Sequence, residues 1–141
     1  MPAAHGSSDG VEYVQALIDR SPYGRWLGQR VTAATPDGLI IEVAWRDEFV
    51  SAPERSALHG GVIAGLLDSA ANFAVAERKR ELVATVDLRI DFMAVPSVGM
   101  LTVEAHVVRL GGRTSVADAA LRDADGRLAA TARGVFVAAG R

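Results

Sequence analysis

The chain contains no cysteine, which excludes disulfide staples, zinc–thiolate sites and thiol nucleophiles. It also lacks an excess of charge of one sign: 15 Lys and Arg stand against 17 Asp and Glu, a formal net charge of −2. Nucleic-acid binding needs a concentrated basic surface, so that partner class is set aside. No apolar run approaches the roughly 18 residues of a membrane span. Met1–Gly10 has neither the charged head nor the apolar stretch of a secretion signal. A soluble cytoplasmic protein is expected. Aromatic residues are scarce, 6% against 50% hydrophobic, which predicts a globular chain whose core is built from small side chains and continues into a subunit interface. Its 141 residues amount to one domain.

What is present has a clear order. Met1–Asp9 is a small polar lead. Val11, Val14, Leu17 and Ile18 then recur at helical spacing, which predicts a short amphipathic helix over 11–20 with Ser8 or Asp9 as its cap. Ser21–Gly24 reads as a turn or one further helical turn. Leu27–Ala34 and Leu39–Trp45 read as strands around the turn Pro36-Asp37-Gly38. Arg46–Ser56 is charged, contains Pro53 and reads as a loop. Ala57–Arg80 carries the longest apolar stripe, from Val62 to Ala74, and ends in Arg78-Lys79-Arg80, where positive charge suits a helix C-terminus. The period then changes to two: Val86, Leu88, Ile90 and Phe92 alternate with Thr85, Asp87, Arg89 and Asp91. Three further strands follow, over 100–110, 113–122 and 127–138, the last pair around Asp123-Ala124-Asp125-Gly126. Short turns between the four C-terminal strands predict a simple antiparallel meander. A long, nearly all-apolar helix needs a large cover, so the expected fold class is α+β, with a curved antiparallel sheet wrapped around one central helix. No internal repeat is visible.

Two features of the long helix invite chemistry. Gly60-Gly61 opens it, although each glycine costs roughly 1 kcal/mol against alanine inside a helix. Backbone N–H groups at a helix start have no partner within the helix, sit at its positive end, and can hold an oxygen that becomes an anion. The second feature is Asp68, a carboxylate amid apolar residues whose helical neighbours Gly61, Ala64, Gly65, Ala71 and Asn72 are small or polar. The plainer readings are that Gly60-Gly61 is a cap or close packing contact, that Asp68 is solvated, and that His59 caps the helix. His106 stands alone on a strand, and His5 lies in the tail. These scattered histidines have no metal-ligand spacing. Gly60 and Asp68 are eight residues apart, about 12 Å along one helix. One small reacting centre can use both only if they come from two chains, with the two helices antiparallel across a two-fold axis. An N–H donor plus a carboxylate suits acyl transfer: the donor stabilises charge on the carbonyl oxygen, and the carboxylate activates water or attacks directly.

His59-Gly60-Gly61, Asp68 and Ala70, and the strand Thr85-Val86-Asp87-Leu88-Arg89 together resemble the hotdog-fold acyl-CoA thioesterases. The closest branch is the phenylacetate-pathway (PaaI-like) type within the 4-hydroxybenzoyl-CoA thioesterase superfamily. The resemblance covers Leu27–Ala138. It implies a short N-terminal segment over 1–26 and a single hotdog domain over 27–141. It implies Asp68 as the catalytic carboxylate, Gly60 with Gly61 beside it as the donor to the thioester carbonyl, Thr85 as the hydroxyl that holds the attacking water, and His59 as a supporting residue. Arg113, and Arg109 as a further candidate, would meet the coenzyme A phosphates. Asn72 and Phe92 join the substrate-binding candidates, with Phe73 also bearing on pocket width. The resemblance implies an acyl-CoA substrate with coenzyme A as part of it, no metal or redox cofactor, and a homo-oligomer: a dimer with shared sites, paired further into a tetramer. One departure is visible. Many members carry an asparagine ahead of the motif histidine, whereas this chain has Ser51-Ala52-Pro53-Glu54-Arg55-Ser56 there. Either Ser51, Glu54 or Ser56 substitutes, or the site works with less. A non-catalytic acyl-CoA-binding or regulatory protein on the same scaffold is the alternative.

Overall fold

The computed structural model describes residues 6–140; His5 and the first residues of the polar lead lie outside them. Two helices open the chain, α1 (Gly6–Arg20) and α2 (Pro22–Leu27). Residues 6–9 are thus already helical. α2 realises the second reading of Ser21–Gly24, a further helical turn, and extends it so that the strand that follows is shortened; its local signal is strong. Ser21 Oγ accepts from Gly24 N (3.0 Å), Pro22 sits in the first turn, and Gly28 stops the helix at φ 71°. β1 (Gln29–Thr35) and β2 (Gly38–Val43) form the expected hairpin. The segment read as a loop holds two 3-10 turns and the short strand β3 (Val50–Ala52), which pairs with β4 (Ala57–Leu58). The long helix α3 therefore starts at Gly60 and runs to Lys79. It ends where Arg80 turns left-handed at φ 54°, with its guanidinium 2.7 Å from Asp9 and stacked over Tyr13.

Four long strands complete the chain: β5 (Val83–Phe92), β6 (Leu101–Arg109), β7 (Thr114–Arg122) and β8 (Leu128–Ala138). They form one antiparallel sheet with β1 and β2, in the order β1-β2-β6-β7-β8-β5. The sheet packs around α3, which touches β2, β5, β6, β7 and β8. Leu66, Leu67, Ala70, Ala71 and Val75 of α3 are fully buried against Ile41, Val103, Leu121 and Phe136. This is the expected hotdog arrangement of a sheet around a central helix. Val14 and Ile18 of α1 enter the same core.

The four-strand meander needs correction. β6, β7 and β8 are a meander, but β5 pairs with β8 and lies at the far edge. The segment between β5 and β6 therefore crosses three strand spacings, about 14 Å, well within reach of its extended chain. It is held down by the β7–β8 turn. Met93 N and Ala94 N donate to Ala129 O, Arg127 donates to Val95 O (2.7 Å), and Ser97 N donates to Asp123 Oδ2 (3.1 Å). Asp123 also accepts from Asp125 N and Arg127 N, both at 3.0 Å. The turn-former seen in the sequence is thus a buried staple for the crossover.

The Ser97 N–H above all, with the other N–H donors, lowers the Asp123 carboxyl to about 2 from 3.8. A carboxylate depressed on folding stabilises the native state above its unfolded pKa, and that contribution is lost as pH falls towards the folded value. Between about pH 4 and 2 the wild-type melting temperature should therefore fall more steeply than that of Asp123→Ala. The variant should start roughly 5–10 °C lower at neutral pH. Parallel thermal-melt profiles across that range would remove Asp123 from the acid response.

The two sheet edges differ. The β1 edge is covered by α1, whose Gln15 accepts from Val31 N (2.8 Å) and donates to Gln29 O (3.2 Å). The ten-residue β5 edge pairs with no further strand among the described residues and is rimmed by exposed Val86, Phe92, Met93 and Val95. Among the described residues no helix is long and apolar enough to cross a membrane.

Candidate active site

β5 runs antiparallel along α3, and three contacts pair them. Asn72 Nδ2 donates to Val83 O (2.9 Å), Thr85 Oγ1 donates to Asp68 Oδ1 (2.7 Å), and a Cβ on Gly60 would lie 3.7 Å from the Phe92 ring. Asp68 and Thr85 are thus brought together, and Phe92 is brought to Gly60. Asn72 is tied by its amide to the backbone of β5, where it anchors the strand that carries Thr85.

Thr85 reaches Asp68 only because β5 is irregular. Leu88 packs against the core, Phe92 reaches Gly60, and both, with Ile90, share one face. Strict alternation would send Thr85 to the opposite face with Arg89 and Asp91. The pairing of β5 with β8 instead slips by one residue between Thr85 and Asp87. That bulge reverses the parity and turns Thr85 towards α3.

The helix start is simpler than the glycine pair implies. His59 is the N-cap, and its Nδ1 accepts from Gly61 N (2.8 Å). The capping reading of His59 holds, and it takes up the Gly61 donor. A Cβ on Gly61 would press on that ring at 3.0 Å, which accounts for the second glycine. Of the two donors expected at Gly60 and Gly61, the cap engages that of Gly61 and leaves the Gly60 N–H, the first of the orphan donors of α3. Gly60 lines an apolar groove of about 330 Å³ together with Leu58, Ile63, Phe92, Met93 and Pro96. Ahead of it, Ser51 Oγ donates to Ala57 O (3.2 Å), Ser56 adopts φ 47°, and Glu54 is exposed. Ser51 thus holds the β3–β4 hairpin closed.

Arg113 and Arg109 lie elsewhere in the protomer. Arg113 precedes β7, two strands from the start of β5, beside the C-terminal end of α3, where Lys79 Nζ donates to Gly111 O (2.8 Å). Arg109 folds back on its own turn to Thr114 O (3.4 Å). Lys79 is about 16 Å along α3 from Asp68, so one chain does not gather these arginines around the carboxylate. His106 sits on the outer face of the sheet. There a hollow of about 470 Å³ is lined by charged groups that include Arg89, Glu104 and the paired Asp118 and Arg133. The Arg133 guanidinium lowers the Asp118 carboxyl. That hollow faces away from α3.

Tyr23 has no feature in the sequence that singles it out. Its hydroxyl lies where a Cβ on Gly65 would stand, one helical turn before Asp68.

Comparisons with known proteins agree with this architecture. A family model described as the thioesterase superfamily matches residues 56–130. A protein of Saccharolobus solfataricus that carries the name "Putative esterase" is 30% identical over 111 residues, covering 78% of each chain. A crystal structure of a thioesterase-superfamily protein is 35% identical, with a TM-score of 0.87 over 92% of this chain and 98% of its own. The Escherichia coli PaaI protein, from a phenylacetic acid degradation operon, shares the fold at a TM-score of 0.85 and 20% identity, covering 96% of each chain. By the family match over residues 56–130 and by the 35% identity to a thioesterase-superfamily protein, the chain belongs to the thioesterase superfamily.

Proposed function

We propose that the protein hydrolyses an acyl-coenzyme A thioester: water adds to the acyl carbon, the carbon–sulfur bond breaks, and a carboxylic acid and the coenzyme A thiol leave. The observation that carries this reading is the 2.7 Å contact between Asp68 and Thr85 on the outer side of α3, opposite its buried apolar stripe. Thr85 fixes one carboxylate oxygen, so the other is aimed outward to take a proton from water or to attack the carbonyl. The Gly60 N–H, at the positive end of the same helix, suits the developing oxyanion.

The spacing of about 12 Å between Gly60 and Asp68 favours a two-fold dimer in which each site takes one group from each chain. The bare β5 edge with its apolar rim is the surface suited to that pairing. In such a dimer Arg113 of either chain is available to the coenzyme A phosphates, and pairing of dimers into a tetramer is compatible with the free outer face.

Released thiol, followed over a panel of phenylacetyl, benzoyl, short-chain and medium-chain thioesters, tests the reading. Turnover of one group confirms it and narrows the substrate class. Binding of thioesters without turnover would replace it with an acyl-CoA-binding role. The engagement of Ser51 with Ala57 O, at the segment where the family asparagine is absent, favours that second reading.

A further inference from the structure

We propose that Tyr23 sets the substrate range of this site by standing as a wall beside Asp68 on the outer side of α3, an assignment that rests on the thioesterase reading above. Gly65 and Asp68 are three residues apart on α3, and Gly61 is four residues before Gly65. At those spacings side-chain positions are neighbours, about 5–6 Å apart, so the three share the exposed face of the helix. The Tyr23 hydroxyl occupies the place of the missing Gly65 side chain, with Cζ 3.4 Å from it. The phenol end therefore lies over the helix immediately beside the carboxylate.

The ring is held there from behind. It stacks on Trp26 at 6.4 Å and 15°, and Trp26 meets the fully buried Phe49 edge-on at 5.4 Å. The Arg46 guanidinium covers Trp26 and Phe49 at 4.9 and 4.8 Å and donates to the Trp26 carbonyl. A chain of packed groups thus runs from the core to Tyr23, which is itself 52% exposed. An aromatic ring anchored on one side and open on the other, beside the proposed reacting centre, is built to meet a ligand rather than to fill the core. Gly65 is the matching half of the device, because any side chain there would push the ring aside. The clash would fall on the far end of a flexible side chain, so Gly65→Ala displaces Tyr23 without disturbing the backbone.

The experiment measures affinities for two non-hydrolysable thioethers, S-propyl- and S-phenacyl-coenzyme A, by calorimetry on the full chain. Removing a wall should favour the bulkier group. Tyr23→Ala should shift the ratio of the two Kd values roughly tenfold towards the phenacyl compound. Gly65→Ala should shift it in the same direction by a smaller factor. Tyr23→Phe, which keeps the ring, should leave the ratio within twofold. A ratio is insensitive to the fraction of protein folded, so a purely structural role for Tyr23 would not move it. An unchanged ratio in Tyr23→Ala, or failure of both thioethers to bind the wild type, overturns the assignment. Hydrolysis of the matching thioesters is followed alongside. A wild type that binds but does not hydrolyse defeats the thioesterase reading alone and leaves the wall to be judged by its Kd ratio.

Discussion

Asp68→Asn is expected to lower kcat by about 10²–10⁴-fold while the protein stays folded. Asparagine has the same shape and keeps a carbonyl oxygen that can accept the Thr85 hydroxyl, so the 2.7 Å contact survives. What disappears is the ability to take a proton or to attack carbon. The loss should fall on kcat and kcat/KM alike, the sign of a group that acts only in the transition state. The carboxylate lies on the outer side of α3, away from the buried stripe of Leu66, Leu67 and Ala70, so stability should change by about 1 kcal/mol or less. Thr85→Val offers a graded comparison. It keeps the shape, leaves Asp68 free to rotate, and should cost less than Asp68→Asn, with Thr85→Ser restoring the rate. Steady-state kinetics on the best thioester decides. An Asp68→Asn variant that retained more than a tenth of the wild-type kcat would remove Asp68 from the chemistry.

The carboxylate was legible because its neighbours are not: one acid inside an apolar helical stripe stands out from periodicity alone. His59 was legible as a cap for a similar reason, since it immediately precedes the helix start. The partner of the carboxylate was harder to read. Thr85 lies in a run whose alternation assigns it to the wrong face, and the single-residue bulge that corrects this leaves no mark in the spacing of Val86, Leu88, Ile90 and Phe92. Strand order was hidden in the same way. Nothing local to 93–100 says that the chain must cross the sheet, because the fastening group, Asp123, is distant in sequence and looks like an ordinary turn residue. Tyr23 and Gly65 are 42 positions apart, and each is unremarkable until the two are seen in contact. Local patterns reported the elements and the candidate groups carried by one helix. Contacts between elements, which depend on register and crossover, required the folded chain.

Gly60→Pro should cost about 10²–10³-fold in kcat, and it tests the other half of the site by deleting a single N–H. Proline is well suited to this position. Gly60 is the first residue of α3, where the N–H has no partner within the helix and where proline is favoured. The residue before a proline must be extended, and His59 already has φ −64° and ψ 131°. The nearest atoms to a new Cβ are those of the Phe92 ring at 3.7 Å, an ordinary contact. The helix and its His59 cap should therefore persist while the proposed oxyanion donor is lost. Mixing this variant with Asp68→Asn then asks whether the two groups serve one site from two chains. Each mixed dimer would carry one site with both defects and one with neither. Subunit exchange at equal amounts should restore about a quarter of wild-type activity. If Gly60 and Asp68 of the same chain served one centre, every site in the mixture would keep one defect. The mixture would then be no faster than the average of the two variants, and the shared-site dimer would have to be abandoned.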